Sequence, residues 1–563
     1  MAVPRKSSSL KSQNKLFVFL LTLIFSITQF AIPNVAFSVD KPLTMTQGVA
    51  KWGASGVQAW GVWLAEDFQV PQASALYSVE DINGKTVSTL CTGLLDEKCG
   101  ANKSLYQVMR FDICKEFSQL SCIANFWALD PTGKKTNGEL VREVLFDPKQ
   151  AIVENVSVNL AANTSLGGLW KLPGVKNTAG TENYFVSTNV TMFRSPNQKA
   201  FGFGEINSGI IPVEEFNGTY SLPVLSVSGG SSTTGQNLSP DGRDCIVLEV
   251  NKCQTAVSFP DGYRFGITLR MGEKLNGWYH GRLSLPEIKI SDWKNGQEIS
   301  IEAEPVKVSS IDFVAPVSEL SEEQKALFLK CIKGNCGGRG DSSGVAQTGG
   351  NLSHPNSMEL LTKFANVYQE RAAKTTSTWT FKNMFNHAGS IDSGAIERCS
   401  KGSSTLNGLV MTNALTYSAG PPSFDESTGS LVYKVASPHF DDKGDVAIGT
   451  YDLSLRSDIA RCLYKFSSAP IKAEVSITAE NGEKRIATTI VNEKNGWLYL
   501  AARGFTFSSP TIQVKLTQDK AANPVVAEPV KVIVKKTITC TKGKVTKKVT
   551  GTSPKCPIGY KKK

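Results

Sequence analysis

Twelve cysteines and a run of lysines at the C-terminal end are the residues of this 563-residue chain whose types and spacing carry chemistry. The cysteines are Cys91, Cys99, Cys114, Cys122, Cys245, Cys253, Cys331, Cys336, Cys399, Cys462, Cys540 and Cys556. Three successive pairs, 91 with 99, 114 with 122 and 245 with 253, stand eight residues apart. A short loop brings two Cβ atoms together without long-range help, so local pairing is the simplest connectivity. Cys399 with Cys462 would then be a long bridge, and Cys540 with Cys556 would close the C-terminal unit. A zinc site needs close C-x-x-C pairs or nearby histidines, and this sequence has neither arrangement, so no metal is expected.

The tests for catalysis are negative. Ser-His-Asp chemistry requires a serine activated by histidine, and the four histidines, His280, His354, His387 and His439, sit in no nucleophile motif. There is no G-x-S-x-G elbow, H-E-x-x-H, P-loop or dinucleotide fingerprint. Asp441-Asp442-Lys443-Gly444-Asp445 offers oxygens to calcium but lacks the full loop of alternating acids and a closing glutamate; it reads as a solvated turn. Arg339-Gly340-Asp341 is too short to specify adhesion. No catalytic residue and no cofactor are assigned.

The elements that must position these residues are mostly strands. Residues 1–38 read as a signal peptide: Arg5, Lys6, Lys11 and Lys15 precede an apolar run from Leu16 to Ile27, and Ala36-Phe37-Ser38 follows. That run is shorter than the ~20 residues a spanning helix needs, so no transmembrane segment is expected after its removal. Residues 39–147 form a Trp-rich β region with two Cys loops, containing Trp52, Trp60 and Trp63. Residues 148–316 read as a β-sandwich: Val153, Val156, Val158 and Leu160 alternate, as do Ile288, Ile290, Ile299 and Ile301. The stretch Ser228 to Ser239 reads as a loop. Residues 317–377 change period and read as a helical connector, with a short helix around Glu319 to Phe328 and a second from Ser357 to Ala373 carrying Leu360, Phe364 and Val367 on one stripe. Residues 378–518 read as an immunoglobulin-like β domain. There Ile471, Ala473, Val475 and Ile477 alternate with polar residues, Asn481-Gly482 suits a tight hairpin, and Ile512, Val514 and Leu516 continue the pattern. A faint repeat links Lys274-Leu275-Asn276-Gly277-Trp278 with Lys494-Asn495-Gly496-Trp497. The fold expected is mainly β, with multiple sandwich domains, a short helical insertion and a small disulfide-closed basic hairpin.

A linker at 519–530 leads to the tail, 531–563, which holds eleven lysines and no acid. The whole chain carries +11; without the four leader charges it carries +7, and without the tail lysines as well it carries −4. The positive balance is therefore confined to the last 33 residues. Lys535, Lys536, Lys542, Lys544, Lys547, Lys548, Lys555, Lys561, Lys562 and Lys563 are the candidate surface-attachment residues. Outside a cell such a cluster attracts an anionic wall polymer or glycan; nucleic acid is not an expected partner of an exported chain, and another protein is the remaining class of ligand, its identity unknown.

The run TITCTKGKVTKKVTGTSPKCPIGYKKK resembles the tail of a group of uncharacterised secreted proteins of actinobacteria, and the β stretch YDLSLRSDIARCLYKFSSAPIKAEVSITAENGEKRIATTIVNEKNGWLYLAARGFTFSSPTIQVKL resembles their final domain. The resemblance covers roughly the last 150 residues and implies a secreted or cell-envelope protein, with no catalytic residue to transfer. The function expected is binding, adhesion or a structural role at the envelope. The competing expectation is a secreted carbohydrate-active hydrolase whose active site has no motif.

Overall fold

The computed structural model describes the chain from Gln58 to Lys563. Outside the description lie 1–57, 64–74, 146–151, 161–164, 222–224, 235–237, 333–338, 341–345, 349–354, 384–397, 400–405, 467–470, 479–483, 508–510 and 519–535, with scattered stretches of one or two residues. The leader, the linker, Trp52, His354, His387, Cys336, Asn481-Gly482 and Lys535 lie outside the described residues, and so does the side chain of Cys331.

The described chain is mainly β, in several sheets, with few helices. One long hydrogen-bonded path organises the body. It runs through Lys85–Cys91, Ala75–Ile82, Ser104–Arg110, Asn183–Arg194, Gly202–Asn217, Lys374–Asn383, Gly277–Trp293, Leu406–Thr412, Ile448–Arg456, Trp497–Thr506 and Thr488–Lys494. Neighbours on this path are antiparallel except Gly277–Trp293 with Leu406–Thr412. The sheet thus crosses residues 147 and 377, where composition shifts along the chain; strands from both sides of each position share one ladder.

Two further sheets cover this path. Lys135–Asn137, Cys122–Leu129, Arg264–Met271 and Gly296–Pro316 pair in that order, and the far half of Gly277–Trp293 completes the layer. Phe126, Phe265, Ile267, Ile299 and Ile301 from this layer meet Met109, Val190, Ile210, Trp379 and Phe381 from the long path in the first core. The alternation at 288–301 is realised as facing pairs, Ile288 with Ile301 and Ile290 with Ile299. The second layer joins Ser430–Ala436, Thr511–Gln518, Ile471–Thr478 and Lys484–Ile486. Its Tyr433, Val475, Ile477, Ile512 and Val514 pack on Leu453, Leu455, Leu498 and Leu500 of the path. Here the period-two reading places Val475, Ile477, Ile512, Val514 and Leu516 on the inner face.

Leu406–Thr412 serves both cores. Every residue in it is buried; Leu409 and Met411 enter the first core and Val410 the second. A strand buried on both faces loses its polar alternation; here Leu409, Val410 and Met411 are apolar in succession, and Asn407, Gly408 and Thr412 flank them.

Four local readings differ from the structure. The second helix is Pro355–Lys363, not Ser357 to Ala373. Gln369 and Glu370 adopt φ of 54° and 51°, and two successive left-handed residues cannot continue a right-handed helix. Residues 155–160 do not form a regular strand, and Val153 lies outside the described residues: Val156–Val158 is a 3₁₀ turn, with Asn155 Oδ1 accepting from the Ser157 amide at 3.2 Å and hydroxyl at 2.6 Å, a side-chain bond that competes with a ladder. The 228–239 loop contains part of a small hairpin, Leu225–Ser228 with Ser231–Thr234. A helix, Ser457–Tyr464, interrupts the final β region and buries Ile459, Ala460 and Leu463. The first helix is Glu322–Ile332, started by a reciprocal cap: the Gln324 amide donates to Ser321 Oγ at 3.2 Å and the Ser321 amide to Gln324 Oε1 at 2.9 Å.

Candidate functional sites

The tail is a three-stranded unit. Lys536–Lys542 lies between Val545–Gly551 and Lys561–Lys562, antiparallel to both. Gly543 at φ 62° turns the hairpin; glycine at the first central position suits a two-residue II′ loop, where left-handed backbone is required. The Cys540–Cys556 disulfide ties the final loop across it, and Cys540 is fully buried. A unit this small has little core of its own and depends on such a staple.

Register decides what the unit displays. Lys536, Ile538, Cys540 and Lys542 share one face with Val549, Lys547 and Val545 opposite them. Thr537, Thr539 and Thr541 share the other face with Thr550, Lys548 and Thr546. The closing loop lies on the cysteine face, where Lys542 packs over Gly559. All nine described tail lysines, 536, 542, 544, 547, 548, 555, 561, 562 and 563, are exposed.

Among the described residues the other disulfides pair Cys91 with Cys99, Cys114 with Cys122, Cys245 with Cys253, and Cys399 with Cys462. The long bridge anchors to the Ser457–Tyr464 helix and not to a strand. His280 is buried and stacks flat on Tyr417, ring centres 3.7 Å apart. The same ring carries the Arg282 guanidinium at 5.0 Å, and Arg282 donates to the carbonyls of Thr412, Ala414 and Leu415. His439 Nδ1 bonds the Phe507 carbonyl at 2.7 Å. Both histidines are held by packing partners. Asp441 Oδ1 is occupied by the amides of Lys443 and Asp445, each at 2.9 Å, with Gly444 at φ 92° completing the turn. Among the described residues, no group of three or more His, Cys, Asp or Glu is arranged to hold a metal ion, and no helix is long and apolar enough to cross a membrane.

A second site has no counterpart among the motifs. The pairing of Gly277–Trp293 with Gly296–Pro316 slips between Ser284 and Glu287, and Leu285 adopts φ 48° there. The resulting bulge faces Asp452 and Ser454 on Ile448–Arg456 and Tyr499 on Trp497–Thr506 across a cleft of about 190 Å³. Asp452 and Ser454 point away from the second core because Tyr451, Leu453 and Leu455 on the alternate positions fill it. Arg503 Nη2 donates to Asp452 Oδ1 at 2.6 Å, to Oδ2 at 2.8 Å and to Ser284 Oγ at 3.0 Å. The Leu285 amide donates to Asp452 Oδ1 at 3.3 Å. On the opposite bank Arg264 donates to the Leu285 carbonyl at 2.9 Å and to Glu302 Oε1 at 3.2 Å, and Trp127 Nε1 donates to Glu302 Oε2 at 2.8 Å. Lys494 and Glu287 form an ion pair at 3.4 Å. Burial pushes the Asp452 carboxyl up to about 6, with Arg503 opposing that rise, and burial likewise raises the Tyr499 hydroxyl.

In comparisons with known proteins no family model, no curated protein and no solved structure matches this chain.

Proposed function

We propose that this chain is an exported, non-enzymatic β protein that works by binding, with its lysine-rich tail holding it to anionic polymers of a cell surface. The observation that carries this reading is the tail itself: a disulfide-closed unit whose nine described lysines are all exposed, in a stretch with no acid. Each lysine near an anionic surface contributes at most about 1 kcal/mol, so attachment requires several acting together. Salt weakens it, because charges more than ~10 Å apart are screened at 0.1 M. The disulfides support an oxidising compartment, and the basic, apolar leader sequence supports export.

The reading is tested by expressing the chain with and without residues 531–563 in a Gram-positive host and comparing cell-bound with released protein. Loss of cell association on deletion supports it. Unchanged cell association overturns it.

A further inference from the structure

We propose that the threonine face of the tail unit is the surface that takes the anionic polymer, and that this polymer is a polyol phosphate, a chain with polyol units between its phosphodiesters. The inference rests on the tethering reading and deepens it by naming the face and the chemistry of the partner.

The two faces of the three-stranded sheet are unlike. The cysteine face is taken up by the unit's own packing: Cys540 is fully buried, Ile538 and Val549 are half-buried, and the closing loop lies there with Lys542 against Gly559. The other face carries Thr537, Thr539 and Thr541 on the middle strand, Thr550, Lys548 and Thr546 on one neighbour, and Lys561 on the other. These residues include no large apolar side chain and no acid. Thr537, Thr546, Lys548, Thr550 and Lys561 are exposed, and Thr539 and Thr541 at the centre are half-buried between their neighbours.

This layout suits an extended chain lying along the middle strand. Threonines two residues apart repeat at ~6.8 Å, so hydroxyls recur along the path. Lys548 stands beside Thr539 on one edge and Lys561 beside Thr541 on the other. Two strand spacings of ~4.8 Å separate those edges, and each side of the path therefore has a cation. The Thr537 and Thr550 hydroxyls bond each other at 2.7 Å, and Thr541 Oγ1 donates to the Lys561 carbonyl at 3.4 Å. Thr539 and Thr546 offer their hydroxyls to the ligand. A hydroxyl gives one hydrogen bond and accepts others, which answers both a phosphate oxygen and a polyol hydroxyl. A polyanion without hydroxyls would leave half of that capacity unused.

The cations also select among anions. Residues 531–563 hold eleven lysines and no arginine. The planar fork that grips a carboxylate two-pronged belongs to arginine, whereas lysine serves a phosphate as a point charge. Point charges beside rows of hydroxyls fit phosphodiesters strung between polyol units better than the carboxylates of a uronate chain.

The experiment measures retention of the disulfide-intact mature chain on immobilised poly(glycerol phosphate) at ~0.15 M salt, where charges more than ~8 Å apart are screened. Linear polyphosphate and polygalacturonate at matched charge density serve as comparators. Sequence neighbours supply the control, because Lys548 and Lys561 lie on the threonine face and Lys547 and Lys562 on the cysteine face. Lys548→Gln with Lys561→Gln is expected to weaken binding about tenfold, equivalent to ~1.4 kcal/mol. Lys547→Gln with Lys562→Gln removes the same charge from the far side of the sheet, and screening limits its expected effect to about twofold. Thr539→Val with Thr546→Val keeps the charge and the β-branched shape, and is expected to reduce affinity for the polyol phosphate to that for polyphosphate. Thr539→Ser with Thr546→Ser is expected to keep most of the wild-type affinity. An oxidised Cys540–Cys556 bridge, read by mass, confirms that the tail of each variant is closed. Equal losses in the two lysine pairs, wild-type affinity in the valine variant, or binding of polyphosphate or polygalacturonate as tight as that of the polyol phosphate overturns the proposal and leaves the tether standing. Retention of the wild type on none of the three polymers overturns the tethering reading itself, and the proposal with it.

Discussion

Arg503 grips both carboxylate oxygens of Asp452, at 2.6 and 2.8 Å, and with the same nitrogen reaches Ser284 Oγ at 3.0 Å. The pair thereby fastens the Ile448–Arg456 and Trp497–Thr506 strands to the bulge of Gly277–Trp293, where the two layers meet. Asp452 is 2% exposed. Removing one partner of a buried pair is more damaging than replacing both, because it strands the other charge.

This pair has a pH signature. Burial holds the Asp452 carboxyl at about 6 despite Arg503, whereas an unfolded aspartate titrates near ~3.9. The folded state binds the proton more tightly, so this group's contribution to stability is complete below about pH 4 and is lost as pH rises towards 6. The loss is on the order of 2–3 kcal/mol, at ~1.4 kcal/mol per unit. Urea unfolding between about pH 4 and pH 7 is expected to show wild type losing stability relative to Asp452→Asn across this window. A constant difference between the two would contradict the assignment.

The disulfides predict an order of effects. In the chain-entropy picture a bridge stabilises more as its loop lengthens. Cys399–Cys462 spans 63 residues and Cys245–Cys253 spans eight. Replacing the first pair by serine is expected to cost about 4 kcal/mol and the second about 2.5 kcal/mol. Denaturant titration of the two double mutants checks this; an equal or reversed cost would show that native contacts around Cys462 outweigh loop closure.

The shared strand predicts an intolerant glycine. A Cβ added at Gly408 would sit 2.2 Å from the Trp278 ring, and that ring is packed in the second core. Overpacking of this kind typically costs 1–3 kcal/mol. Gly408→Ala is expected to lower the denaturation midpoint by an amount equivalent to about 2–3 kcal/mol. Gly429→Ala, where nothing lies within 4 Å and the cost comes from φ of 63° alone, is expected to cost nearer 1 kcal/mol. A Gly408→Ala protein as stable as wild type would mean that the Trp278 packing is adjustable.

Much of the β architecture was legible because half-buried strands show their alternation, as at 475–477 and 512–516. The Cys-x7-Cys spacings likewise point to the short bridges seen at 91–99, 114–122 and 245–253. Leu406–Thr412 is less legible, since burial on both faces erases the period. The helix Ser457–Tyr464 did carry a signal, Ile459, Ala460 and Leu463 three or four apart, but it is two turns long and sits between strongly alternating segments. The cleft left no local mark at all. Ser284, Asp452, Tyr499 and Arg503 are each an ordinary polar or aromatic position on a strand, and only the register of three strands and one bulge brings them together over more than two hundred residues of chain. The tail was legible as a lysine- and cysteine-bearing hairpin, and the structure adds which side chains share each face.

The most direct measurement of the tethering claim is retention of the disulfide-intact mature chain on an immobilised wall-type polyol-phosphate polymer across a salt gradient, beside the same chain lacking residues 531–563. The account predicts that the full chain is retained at low salt and released as salt rises, and that the truncated chain, whose formal charge is −4, flows through. Equal retention of the two chains, or retention of the full chain that salt does not weaken, would contradict it.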